Sequence, residues 1–404
     1  MKRIDVIDNF KDFVDDVFNQ AIDRNASDIH IEPQKLAMYI RFRIDWEMSY
    51  LYEISLNNKD TFLTRVKIMS QLKIDENRLP QDWNIVYNYK DNEDIDMRIS
   101  TFPTIYGEKI CIRILRKSWN LMNIKTLWFL HITLKTIENA LKVKEWLVLV
   151  SWPTGSWKTT TLYAMLNSFD PKKYNISTLE DPVEYKLEWV NQSQVKPDIW
   201  YKFADWLRTL LRQDPDIVLV WEIRDKETAK LAVEASLTWH LVFGTIHSNR
   251  WSWVVERIIN MWIEPYLVSS ALKLIVNQRL VRRLCTCSKN MEYTEHELNM
   301  FNDWFKTFPD IWAMYKENLK LKEQNHEWCD KCRTVWKWYA GRAWLHEVTV
   351  IDADFSRLIL EDLNPERWNA LMVKKEYLNI YQDWLMKVIS GATDLKQILP
   401  YKES

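Results

Sequence analysis

Glycine is the scarce residue, 5 in 404, where an average chain carries about 7%. So few glycines would exclude most tight turns, left-handed helix ends and backbone cradles for ligands. Other absences exclude whole classes. The formal net charge is −1, so there is no global basic field of the kind expected of a nucleic-acid binder. No apolar run is long enough to span a bilayer. The start, Met-Lys-Arg-Ile-Asp-Val-Ile-Asp-Asn-Phe, lacks the apolar core of a signal peptide. Of five cysteines, four cluster late in the chain, which suits a metal site in a reducing compartment better than disulfides. The expectation is a cytoplasmic protein of two to three domains.

Tryptophan is in surplus, with 23 residues. Glycine and tryptophan together make 28, close to the ordinary glycine share of about 7%. The two meet in the stretch that organises the chain. Leu147 to Val150 reads as a buried strand, a polar loop follows, and Lys158-Thr159-Thr160 opens a helix. That is the layout of a phosphate-binding loop, G-x-x-x-x-G-K-[ST]. The pattern runs from Trp152 to Thr159, with Pro153, Thr154, Gly155, Ser156, Lys158 and Thr159 as required, but Trp152 and Trp157 occupy both glycine positions. An indole at either place would block the backbone N–H groups from closing on phosphate. One reading is a gene that uses UGA for glycine and was translated with UGA as tryptophan; the other is a genuinely Trp-rich chain. Asp45-Trp46, Asp82-Trp83, Thr238-Trp239-His240, Met261-Trp262-Ile263 and Asp383-Trp384 read as turns or closely packed backbone, which favours the first.

Residues 1–118 read as an α+β domain: an amphipathic helix over 8–24, alternation through Met38, Ile40, Phe42 and Ile44, a helix over 60–74, a loop over 78–83, and alternating strands over 96–101 and 109–115. Arg41 and Arg43 fall on the other face of the first strand. Arg98, Arg113 and Arg116 are either a solvated face or guanidinium forks reaching a phosphate in a neighbouring subunit.

A linker over 119–128 and a helix over 131–142 lead into the loop. Lys158 is expected to meet the β- and γ-phosphates of ATP and Thr159 to ligate Mg²⁺. Downstream, a strand over 174–179 ends in Glu180-Asp181-Pro182-Val183-Glu184. The apolar run Ile217–Val220 ends in Trp221-Glu222-Ile223-Arg224. Carboxylates at strand ends sit beside the ligand crevice of a doubly wound sheet, and an acid closing an apolar strand is the Walker-B arrangement. His240 and His247 flank a further strand as candidate γ-phosphate sensors. Late in the chain Cys285, Cys287, Cys329 and Cys332 form two close pairs, suited to tetrahedral zinc around an excursion of roughly forty residues.

Four elements in this order resemble the secretion ATPase superfamily, specifically the type II secretion and type IV pilus assembly ATPases. Walker A, Asp box, Walker B and His box of that family match Trp152–Thr159, Glu180–Glu184, Ile217–Glu222 and His240–His247. Ser27-Asp28-Ile29-His30, Arg78-Leu79-Pro80-Gln81-Asp82 and Pro103-Thr104-Ile105-Tyr106-Gly107-Glu108-Lys109 match its preceding domain. Most departures put tryptophan where the family has glycine. Another is the first cysteine pair, C-x-C where assembly ATPases have C-x-x-C. The resemblance implies an α/β fold: a RecA-like P-loop ATPase core over 129–282, the smaller N-terminal α+β domain, a zinc-binding module over 283–345 and a helical extension over 346–404.

It also implies a homo-hexamer with sites between the two domains, completed by arginines such as Arg98 and Arg113. ATP hydrolysis at Glu222, Glu180 or Glu184 would be coupled, through an inner-membrane platform protein, to movement of pilin or pseudopilin subunits. The cysteine pairs favour assembly over retraction. Assembly ATPases carry a further N-terminal docking domain, and the expectation is that this chain begins at the second. The rival readings are a non-hydrolysing structural or regulatory subunit, should Trp152 and Trp157 be genuine, and a nucleic-acid motor on the same core, which the missing basic stripe and the cysteine module disfavour.

Overall fold

The computed structural model describes the chain apart from residues 1, 45–46, 91–92, 116–122, 144, 152–157, 185, 196–201, 249–250, 293, 307, 317–320, 326, 328, 330–338, 362–363 and 398–404. The chain divides into two compact units, the first ending and the second beginning between residues 119 and 120.

In the first unit, alternating apolar residues build a seven-stranded sheet. Its elements are β1 (Lys2–Ile4), α1 (Phe10–Asp23), β2 (Asp28–Pro33), β3 (Met38–Ile44), β4 (Glu47–Ile54), α2 (Lys59–Met69), β5 (Asp82–Tyr89), β6 (Glu93–Thr104) and β7 (Gly107–Leu115). The sheet order is β1-β4-β3-β2-β7-β6-β5. The period-two pattern of β3 places Met38, Ile40, Phe42 and Ile44 in one core with Val14, Val17 and Phe18 of α1 and Phe62 and Val66 of α2. The expected loop over 78–83 gives way at Asp82 to strand β5, paired along its length with β6. The loop before it is tied down from several sides. The buried Lys67 ammonium donates to Glu76 O, Asn77 Oδ1 and Glu108 Oε2, while Gln81 spans Lys73 and Glu76.

The second unit opens with α3 (His131–Ala140), β8 (Trp146–Ser151), α4 (Lys158–Leu166), β9 (Ile176–Glu180), β10 (Asn191–Gln194), α5 (Phe203–Leu211), β11 (Ile217–Val220), α6 (Lys226–Ser236), β12 (Leu241–Ile246), α7 (Trp251–Asn260), α8 (Pro265–Ala271) and β13 (Leu272–Leu284). It continues through β14 (Lys289–Asn290), α9 (Glu295–Trp304), α10 (Pro309–Lys316), β15 (Lys322–Glu323), β16 (Tyr339–Val350), α11 (Ala353–Glu361), α12 (Pro365–Lys374) and α13 (Ile380–Ile389). The sheet order is β10-β9-β11-β12-β8-β13-β16, parallel except for the β13–β16 pair. Its inner strands β8, β11 and β12 are largely apolar on both faces, as a sheet covered by helices on two sides requires. Leu147 and Leu149 of β8 join a core with α5, α6, α7 and α8; Val148 and Val150 join one with α3 and α4.

Two expectations change here. The segment expected to open a helical extension at 346 is strand until Val350, because β16 pairs with β13 from Leu274↔Val350 to Leu284↔Tyr339 and completes the central sheet. Of the pairs expected at turns or closely packed backbone, Asp82-Trp83 is exposed within β5, while Asp383-Trp384 is closely packed inside α13.

Helix α13 carries a buried ion pair within itself, and both of its members bond the backbone of β16. Lys387 Nζ and Asp383 Oδ2 are 2.5 Å apart and both almost fully buried. Lys387 also donates to Trp344 O, and Asp383 Oδ2 accepts from His346 N at 2.9 Å. Burial pushes the Asp383 carboxyl up and the Lys387 ammonium down from their ordinary values. Lys387→Met leaves Asp383 as an uncompensated buried charge and is expected to cost about 3–5 kcal/mol in chemical denaturation, whereas Lys387→Met with Asp383→Leu recovers most of that loss.

Candidate functional site

The parallel register gathers the strand ends. Val220 of β11 pairs with Leu179 of β9 on one side and Gly244 of β12 on the other, and Ile246 of β12 pairs with Ser151 of β8. The carboxyl ends of β8, β9, β11 and β12 therefore share one edge, where an α/β sheet binds its ligands. Residues 152–157 of the phosphate loop, Trp152 to Trp157, lie outside the described residues. Beyond them α4 begins at Lys158, with Thr159 and Thr160 buried. Ser151 Oγ donates to Ser248 O at 2.9 Å, joining the strand before the loop to the segment after β12.

Glu222 is the best-defined carboxylate on this edge. Past Val220 the chain stays threaded between its neighbours: Trp221 N donates to Leu179 O at 2.9 Å and Ile223 N to Thr245 O at 2.8 Å. This leaves Glu222 6% exposed, with a fixed partner on each oxygen. Arg224 Nη2 donates to Oε2 at 2.6 Å, and His247 Nε2 lies 3.1 Å from Oε1. The hydrogen bond that Arg224 donates to Glu222 holds its guanidinium above the usual range. A carboxylate pinned by a fork and an imidazole keeps one orientation, which is what positioning a water or a hydrated cation demands.

Glu180 differs. It ends β9 fully buried and turns into the unit: Tyr163 of α4 donates its hydroxyl to Oε2, and Thr178 Oγ1 and Gln192 Nε2 of β10 donate to Oε1 at 2.6 and 3.0 Å. Burial raises its carboxyl above the usual range, with the nearby Glu184 charge adding to the rise. Glu180 thus braces the phosphate-loop helix against the outer strands. Glu184 is half-buried beyond the Asp181–Pro182 peptide.

The two histidines are not brought together. His247 follows β12 at the carboxyl edge. His240 precedes it at the opposite edge, with Nδ1 3.1 Å from Ala235 O, and seven residues of strand put roughly 23 Å between them. Arg98 and Arg113 belong to the first unit, as cross-strand neighbours on β6 and β7. Arg113 Nε donates to Asp28 Oδ1 at 3.1 Å. Tyr163, Thr178, Gln192 and Arg224 were not singled out in the sequence; only Arg224, two residues beyond Glu222 on an extended chain, carried a signal there.

A second cluster lies at the start of the late excursion. The thiols of Cys285, Cys287 and Cys329 fall within 4.8 Å of one another, with Cys285 and Cys329 Sγ 3.5 Å apart. Tetrahedral zinc at about 2.3 Å from each sulfur sets sulfurs about 3.8 Å apart, so the donor set fits that ion. Cys332 lies outside the described residues.

A family model described as type II/IV secretion system protein matches residues 7–400. The chain is 37% identical over 384 residues to the putative type II secretion system protein E of Escherichia coli (strain K12), covering 95% of this chain and 75% of that one. It is 36% identical over 388 residues to the type IV pilus assembly ATPase PilB of Myxococcus xanthus (strain DK1622), covering 95% and 66%. In fold it is similar to the Legionella pneumophila ATPase DotB, with a TM-score of 0.70 at 18% identity over 98% and 97% of the chains. The pilus retraction motor PilT gives a TM-score of 0.66 at 22% identity over 97% of both.

Glu180→Gln keeps the size and most of the hydrogen bonds of this brace. It is expected to leave ATP hydrolysis within about tenfold of the parent, well short of the ~10²–10⁴-fold loss that follows removal of a general base. Steady-state phosphate release measures it.

Proposed function

The chain belongs to the type II/IV secretion system protein family, and on that premise we propose a hexameric ATPase that drives type IV pilus assembly or type II secretion. ATP hydrolysis is coupled, through an inner-membrane platform protein, to movement of pilin or pseudopilin subunits. The protein works on the cytoplasmic face of that membrane through its partners. No helix among the described residues is long and apolar enough to cross a membrane, which accords with a peripheral place.

One observation carries this reading: Glu222, buried on the carboxyl edge two strands from the one that feeds the phosphate loop, with Arg224 and His247 fixing its two oxygens. Lys158 meets the β- and γ-phosphates and Thr159 ligates Mg²⁺, which neutralises phosphate charge when bound. Glu222 orients the attacking water and accepts its proton; it cannot touch the phosphates themselves without repulsion. His247, on the same carboxylate, reports whether the γ-phosphate is present. Arg98 and Arg113 complete a neighbour's site. Cys285, Cys287, Cys329 and Cys332 hold zinc, which closes the base of the excursion.

Glu222→Gln keeps shape and hydrogen-bonding reach and removes the charge. ATP binding is expected to persist while hydrolysis falls about 10²–10⁴-fold, read by equilibrium nucleotide binding beside phosphate release. Normal turnover would move the base to Glu184. Separately, protein purified without chelator is expected to hold about one zinc per chain by elemental analysis, and Cys285→Ser to lose it.

A further inference from the structure

Backbone conformation sorts the tryptophans. Among the described residues, nine residues other than glycine have positive φ, and four of them are tryptophan: Trp128 (+60°), Trp189 (+62°), Trp239 (+67°) and Trp262 (+64°). In this region the β-carbon of an L-residue crowds the following carbonyl. Asn and Asp tolerate it by bonding locally to the backbone, and an indole has no such bond to offer.

Two of the four sit where helices stop. Trp262 follows α7, and its N–H donates to Ile259 O at 2.8 Å while Met261 N donates to Arg257 O at 3.1 Å. Trp239 follows α6 after Thr238 N donates to Ala235 O at 3.0 Å. A left-handed residue closing a helix through such bonds is the position glycine most often fills.

Nor does burial compensate. Trp189, Trp239 and Trp262 are 70%, 79% and 79% exposed, and Trp128 is 37% exposed. Lys172 and Lys226 lie over Trp189 and Trp262 at 5.5 and 5.8 Å, contacts that do not require positive φ.

Trp312 is the opposite case. Its ring stacks on Phe301 and Phe305 with centroids 5.7 and 5.5 Å away, and its Nε1–H donates to Asn302 Oδ1 at 2.8 Å. Removing that side chain would open a hole in a core that also holds Leu321 and Leu385. This residue uses everything an indole offers.

We infer that the chain as its own cells make it carries glycine at 128, 189, 239 and 262 and tryptophan at 312, and that the codon shared with the first four also places glycine at 152 and 157. The phosphate-loop pattern then reads with glycine at both of its glycine positions. The competing account, in which the exposed indoles are genuine and form a docking face, demands tryptophan at the same positions.

The direct test is peptide mass spectrometry of the protein purified from source cells, read beside the gene. Glycine at 128, 152, 157, 189, 239 and 262 with UGA codons, and tryptophan at 312 with UGG, is the expected result. Tryptophan at any of the four positive-φ positions, or glycine at 312, overturns the sorting; tryptophan at 152 or 157 overturns its extension to the phosphate loop. A second measurement uses recombinant protein of the written sequence. Trp239→Gly and Trp262→Gly are each expected to raise Tm by about 2–4 °C and Trp312→Gly to lower it by more. The reverse ordering would sink the inference.

Discussion

The structure depends on the parallel register of β9, β11, β12 and β8. Hydrogen bonding fixes each strand against its neighbours, so the points at which they stop are fixed together. A slip of one residue in β11 would turn Val218 and Val220 from one core to the other and move Glu222 off the edge it shares with Ser151 and His247. Because both faces of the sheet are packed under helices, that slip is resisted along every strand. The site inherits its precision from the sheet, and the functional side chains are carried by extended segments just beyond it.

The acids on this edge have different environments and so different uses. Glu222 faces a guanidinium and an imidazole, one on each oxygen. Glu180 faces a phenol, a hydroxyl and an amide in a fully buried setting, and it spends its oxygens on joining α4 to β9 and β10. Two carboxylates that look alike as strand-end acids are thereby separated into one poised at the crevice and one holding the helix that follows the phosphate loop.

The second sheet edge is built by residues from far along the chain. β16 reaches back to β13 and is itself held from behind by α13, through Lys387 and Asp383. The excursion between β13 and β16 is closed near its base by the three-cysteine cluster and by the β14–β15 pair. A metal there would pin a long insertion whose two ends are already neighbouring strands.

Much of this was legible in the chain itself. The apolar run Ile217–Val220 coincides with β11, the helix over 8–24 with α1, and the order of strand-end acids with the order of strands around the site, because each rests on local periodicity and on residues adjacent in sequence. The tryptophan surplus was visible in composition and in its fall on glycine positions of the phosphate-loop pattern. The tertiary structure decided what depends on distant partners. It turned Glu180 inward onto Tyr163 and Gln192. It drew the segment after 338 into the sheet, and it gave four tryptophans a backbone that only glycine adopts freely. The physical reason is the same in each case. Local pattern specifies which face of an element is apolar, whereas register, strand direction and φ at a chain reversal are set by what packs against that element from elsewhere.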